Sequence, residues 1–115
     1  MSLTIYHNPR CSKSRQTLAL LTERGLSPKV VAYLETPPSV AILKDLLKKL
    51  DLRPRELLRT KEAAYKELQL GDPGKSDAEI LAAMASHPIL IERPIVVKDG
   101  KAALGRPPEQ VLEIL

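Results

Sequence analysis

The chain predicts a mixed α/β fold, a four-stranded sheet built in the order β-α-β, helical block, β-β-α. Three observations predict it. The β-favouring run Leu3-Thr4-Ile5-Tyr6 is followed by helical spacing from Ser12 and then by a second β-favouring run, Lys29 to Tyr33. From about Ser39 to His87 the apolar residues keep helical spacing and form no persuasive strand. Ile95-Val96-Val97-Lys98 and Lys101-Ala102-Ala103-Leu104 then flank Asp99-Gly100, the turn dipeptide of a β-hairpin.

Each element has its own local cause. Leu18, Leu20 and Leu21 mark the apolar side of the first helix, and Gly25 supplies its stop. Strand, crossover helix and strand make a βαβ unit, whose strands run parallel with a right-handed crossover. Ser39 is placed to cap a helix with a Leu43, Leu46, Leu47, Leu50 stripe. Pro54 opens a brief turn carrying Leu57 and Leu58. Glu62 to Leu70 predicts a further short helix, stopped by Gly71-Asp72-Pro73-Gly74. Ser76 with Glu79 is a capping box ahead of Ile80, Leu81 and Met84, and His87-Pro88 ends that helix. Pro107-Pro108 starts a last helix with Val111, Leu112 and Leu115 inward. A parallel pair plus a hairpin gives a mixed sheet with helices on its faces, the order of the thioredoxin-like architecture. The expectation is one thioredoxin-like domain over 1–115 with a helical insertion at about 39–87.

Composition narrows the function. With 115 residues, 43% hydrophobic and 28% charged, the sequence is that of a globular protein with an aliphatic core, since Trp and Phe are absent. No apolar run approaches the ~18 residues of a membrane span, and no basic-then-apolar leader precedes the first strand. A single cysteine forbids an internal disulfide, so a reducing, cytoplasmic location is expected. The net charge of +4 comes from basic residues spread along the chain, without aromatic stacking platforms. That excess suits a small anion, and neither nucleic acid nor a membrane is expected as a partner. One Cys and two distant histidines give no ligand-spaced cluster, so no metal is expected.

Cys11 is the residue on which chemistry concentrates. It lies in Tyr6-His7-Asn8-Pro9-Arg10-Cys11-Ser12-Lys13-Ser14-Arg15, at a strand-to-helix turn. Helix-terminal N–H groups and the three nearby cations favour a thiolate there. A buried core thiol is the competing reading, and a polar, basic, proline-bearing turn disfavours it. His7, four residues upstream, either stabilises the thiolate, accepts its proton, or caps the strand. Ser14 falls in the first helical turn, where it can donate to sulfur or to a bound anion, or simply be solvated. Arg93 before Pro94, Arg106 before Pro107, and Arg59 after Leu57-Leu58 are candidate oxyanion ligands, because guanidinium forks grip tetrahedral oxyanions. In a thioredoxin-like fold the loop before the third strand faces the first βα turn, which points Arg93 at Cys11.

These residues resemble the ArsC family, the glutaredoxin-coupled arsenate reductases of thioredoxin-like fold. The similarity runs nearly end to end. It comprises Ile5-Tyr6-His7-Asn8-Pro9 before Cys11, Tyr33-Leu34-Glu35-Thr36-Pro37-Pro38-Ser39, Leu57-Leu58-Arg59, His87 through Val97, and Arg106-Pro107. The resemblance implies that the Cys11 thiolate attacks arsenate and that Arg59, Arg93 and Arg106 hold the oxyanion, with His7 and Ser14 beside the thiol. It also implies that no cofactor is bound, that glutathione is the reductant, and that glutaredoxin resolves the adduct. A lone thiol fits this, because it needs an outside thiol to complete a reduction. Two rival expectations stand beside it. One is a glutathione-dependent thiol reductase of the same fold without arsenate activity. The other is a non-enzymatic regulator that binds transcription machinery. Such regulators often carry Cys-x-x-Cys, and position 14 here is Ser.

Overall fold

The computed structural model describes residues 3–115. They fall into two compact units, one joining the chain through Thr36 with Arg93–Leu115, the other formed by Pro37–Glu92.

The first unit is built on a sheet in the order β2-β1-β3-β4, with β1 at Leu3–His7, β2 at Lys29–Ala32, β3 at Ile95–Lys98 and β4 at Lys101–Leu104. β1 pairs parallel with β2 (Ile5 opposite Val30) and antiparallel with β3 (Tyr6 opposite Ile95). β3 turns into β4 through Asp99-Gly100, with Asp99 in the left-handed region at φ 55°. The expected mixed four-stranded sheet is therefore present. Helix α1, Ser12–Glu23, is the crossover between β1 and β2. It stops where Gly25 adopts φ +77° and the Leu26 amide reaches back to the Leu21 carbonyl at 3.1 Å, a Schellman-type ending. Ile5, Leu21, Val96, Ala103 and Val111 are buried together at the centre of this unit.

The expected last helix differs in winding. Pro108–Ile114 is a 3-10 helix, closed by i→i+3 bonds such as Gln110 N–H to Pro107 C=O at 3.0 Å. A run of seven residues is long for this winding, which usually extends over about three or four.

The second unit is helical. Helix α2, Val40–Leu50, is capped by Ser39, whose hydroxyl accepts from the Ile42 amide at 3.2 Å. It buries Leu43, Leu46 and Leu47. Helix α3 spans only Ala63–Glu67, shorter than the expected 62–70. The shortening has a local cause: Gln69 turns left-handed (φ 54°) and the Leu70 amide bonds back to the Tyr65 carbonyl at 3.0 Å. Helix α4, Asp77–Ser86, starts at the Ser76/Glu79 capping box and buries Ile80, Leu81 and Met84. Pro54–Leu57 and Pro88–Leu90 are 3-10 turns, and a single antiparallel bridge joins Leu58 to Ile91. Among the described residues no helix is long and apolar enough to cross a membrane.

Candidate active site

The site is assembled in the first unit by three turns: the one leaving β1, the one entering β3 and the one leaving β4. The β1 turn closes on itself. The Cys11 amide donates to the Asn8 carbonyl at 3.0 Å, and the Asn8 side-chain oxygen accepts the Arg10 amide at 3.0 Å. This asparagine-centred turn delivers Cys11 to the N-cap position of α1, where the backbone is still extended. Serine, threonine or aspartate usually fills such a position because an acceptor there meets the helix's unpaired amides. Here the acceptor is sulfur. It makes no capping hydrogen bond of ordinary length, yet the Ser14 and Lys13 amides face it closely enough to favour its anion.

Charge completes the effect. Partial burial raises the Cys11 pKa, but the Ser14 amide, the Arg93 guanidinium and the Lys13 amide together outweigh it and hold the thiol below its ordinary value. Arg106 approaches from the other turn, with Nη1 at 4.0 Å from Cys11 Sγ. The same nitrogen donates to the Arg93 carbonyl at 3.1 Å. Both arginines precede cis prolines, Pro94 and Pro107. Cys11, Arg93 and Arg106 are thus gathered at one point, although residues 11 and 106 lie far apart in sequence.

Beneath the thiol is a buried polar floor. Ser14 is fully buried, and its hydroxyl lies 2.6 Å from His7 Nδ1 while accepting the Asn8 amide at 3.0 Å. Burial and the Arg15 charge both lower the His7 pKa, so the ring is neutral near pH 7. We assign the Ser14 proton to His7 Nδ1, an arrangement in which the serine hydroxyl donates to the neutral ring and accepts from Asn8. His7 therefore anchors the helix start through Ser14, and Ser14 faces the sulfur with its amide rather than its hydroxyl. Arg15 ties down the turn's rim, with Nη1 donating to the Pro9 carbonyl at 2.8 Å. Arg10 and Lys13 are exposed.

Arg59 belongs to the second unit. Its Nε meets Glu62 at 3.2 Å and its Nη1 meets Glu92 at 2.7 Å. Burial works against the charge on Arg59, but these two carboxylates more than offset it and raise its pKa. Its backbone amide also bonds to the Leu90 carbonyl at 2.7 Å.

Three residues of the site are absent from the sequence-based candidates: Asn8, Thr17 and Gly105. Asn8-Pro9 carried a turn signal that identifies the first. Thr17 and Gly105 become visible only when α1 and the β4 exit are brought together.

Comparison with known proteins establishes the family. The model of the ArsC family matches residues 6–114. The chain belongs to the ArsC family. Among solved structures, this ArsC chain is 62% identical to an arsenate reductase from Vibrio cholerae, with a TM-score of 0.97 and coverage of 100% of this chain and 98% of that one. It is 51% identical to an arsenate reductase of Neisseria meningitidis serogroup A, over 98% of this chain and 97% of that protein. It is also 61% identical to Escherichia coli K12 YfgD, a protein named as uncharacterized, over 96% of this chain and 94% of that protein.

Proposed function

We propose that this ArsC-family chain is an arsenate reductase whose nucleophile is Cys11. The observation that carries the reading is the Cys11 sulfur at the α1 N-cap, its pKa lowered, with Arg106 Nη1 4.0 Å away and the Arg93 guanidinium beside it. The names of its relatives support the substrate.

Arsenate is a tetrahedral oxyanion that the two guanidinium groups suit by charge and by donor geometry. The Cys11 thiolate attacks arsenic, a sulfur–arsenic bond forms, and one arsenic-bound oxygen leaves as water after protonation. Arg93 and Arg106 stabilise the charge on the oxygens that remain. A role for Arg59 in holding the oxyanion is what the family resemblance implies; in the second unit its guanidinium is paired with Glu62 and Glu92. His7 and Ser14 act by holding the start of α1, so that the Ser14 amide stays aimed at sulfur.

Reduction then needs electrons from outside, because Cys11 is the chain's one cysteine. Glutathione supplies them: its thiol displaces a second arsenic-bound oxygen as water. A second thiol, of glutathione or glutaredoxin, attacks the glutathione sulfur to form the disulfide, while the sulfur–arsenic electron pair reduces As(V) to As(III). One water then releases arsenite from Cys11 and restores the thiolate. Over the cycle arsenate and two thiols become arsenite, one disulfide and water, a two-electron balance. This chemistry suits a reducing, cytoplasmic setting.

The experiment is arsenite formation by the purified protein with glutathione and glutaredoxin, with Cys11→Ser as control. The expected result is turnover by the parent chain and background from Cys11→Ser. Turnover that survives in Cys11→Ser overturns the assignment. Absence of arsenite alongside reduction of glutathione adducts reassigns the chain to the thiol reductases.

A further inference from the structure

Gly105 is buried between β4 and Arg106, and the atoms around it leave no space for a side chain. A Cβ built there would fall 2.7 Å from Pro94 Cγ and 3.0 Å from Thr17 Cγ2, and closer still to Thr17 Oγ1. Real Cβ atoms do not tolerate such separations, and two of the three offending atoms belong to a fully buried side chain. The glycine is not there for its dihedral freedom, since Gly25 is the glycine with a positive φ. It is there for close approach.

What approaches is informative. Thr17 comes from α1, one turn beyond Ser14, and its hydroxyl donates to the Lys13 carbonyl at 2.8 Å and lies 3.5 Å from the Gly105 carbonyl. Pro94 follows Arg93, and its carbonyl accepts the Gly105 amide at 2.9 Å. Gly105 thus touches the helix that carries Cys11 and the turn that carries Arg93, and the next residue is Arg106.

We infer that Gly105 is a positioning residue for the anion site: the close packing of its bare Cα against Thr17 and Pro94 sets how near Arg106 comes to the Cys11 sulfur. A methyl group at 105 pushes the β4 exit away from α1. Arg106 moves with it, losing both its contact with Cys11 and its bond to the Arg93 carbonyl. The consequence for turnover rests on the proposed arsenate chemistry, but the geometric claim does not, and it can be read without arsenate.

The readout is the ratio of Cys11 alkylation rates by iodoacetate and by iodoacetamide at low ionic strength. Both reagents need the thiolate, so the thiolate fraction cancels in the ratio, and what remains is the pull of nearby positive charge on the anionic reagent. A unit charge at 4.0 Å in water-like surroundings corresponds to about fivefold. Gly105→Ala is expected to lower the ratio by about that factor, as Arg106→Ala does, and to lower it no further in the Arg106→Ala background. An unchanged ratio in folded Gly105→Ala overturns the inference, as do effects of the two substitutions that multiply. Where Gly105→Ala does not fold, Thr17→Ala tests the same contact from its other side: opening the gap should lower the ratio, and an unchanged ratio there refutes the positioning role. Failure of arsenite formation in the parent chain, with the ratio behaving as described, removes the proposed substrate and leaves Gly105's role standing.

Discussion

Both units bury an aliphatic core, and they differ in what else they bury. Around the second unit's helices the fully buried side chains are aliphatic or sulfur-bearing: Leu43, Leu57, Ile80, Met84, Leu90. The buried polar side chains among the described residues are His7, Asn8, Ser14 and Thr17, and all four lie in the first unit, on the end of β1, the turn after it and helix α1. Burying a polar group is unfavourable unless its hydrogen bonds are made, so such groups collect where geometry matters more than stability. The apolar unit is held by area and shape. The polar floor is held by direction, through His7–Ser14–Asn8 and Thr17–Lys13. The second unit's core thus serves stability, while the first unit adds to its own aliphatic core the polar groups that aim Cys11.

That contrast can be tested from both sides. The largest effect is expected in the apolar unit. Met84→Ala removes a fully buried side chain and should cost about 2–5 kcal/mol, seen as a fall in the denaturation midpoint, while the alkylation rate of Cys11 in the folded fraction stays the same. A changed alkylation rate would show that the two roles are not separate.

Next comes Arg93→Ala. It should lower arsenite formation by ~10²–10³-fold, the usual loss for one donor to a developing oxyanion, with little change in melting midpoint. It should also move the pH profile of iodoacetamide alkylation upward, because the guanidinium helps hold the Cys11 thiol below its ordinary pKa. A profile that does not move would assign the ionisation to the helix amides alone.

Ser14→Ala should cost about 1–3 kcal/mol, since it strands the Asn8 amide and a His7 ring nitrogen inside the protein. Its amide remains, so the alkylation profile should shift less than in Arg93→Ala. A larger shift would mean that the hydroxyl acts on the sulfur directly.

The smallest effect is in pH. Folding lowers the His7 pKa from 6.5, so the unfolded chain binds a proton that the folded chain resists. The resulting stability is complete above 6.5 and is lost as pH falls through that value toward the folded pKa. The melting midpoint should therefore drop between about pH 7.5 and 5.5, and His7→Gln should flatten that part of the curve. An unaltered slope in His7→Gln would place the titration elsewhere.

Much of the fold was legible in the sequence because its signals are local. Ser39, the Ser76/Glu79 box, Gly25 and Asp99-Gly100 each act within a few residues, and each does so in the structure. The end of α3 was harder to read, since Gln69 takes the left-handed conformation that glycine usually marks. Cys11 stood out through its neighbours in sequence, and its arginines through proline-flanked strand ends. What His7 does was not legible. Its partner is seven residues away and depends on where α1 begins. The Thr17–Gly105 contact spans 88 residues and has no sequence signature at all.

That long span has a consequence during synthesis. A ribosome delivers the reactive thiol early, but the guanidinium that faces it is encoded 95 residues later. Until β3 has added itself to the free edge of β1, a nascent chain carries its sulfur without the cations that govern it. Any fragment ending before Arg93 therefore has the helix amides to favour the Cys11 thiolate but neither guanidinium, and the full site comes into being only with the last quarter of the polypeptide.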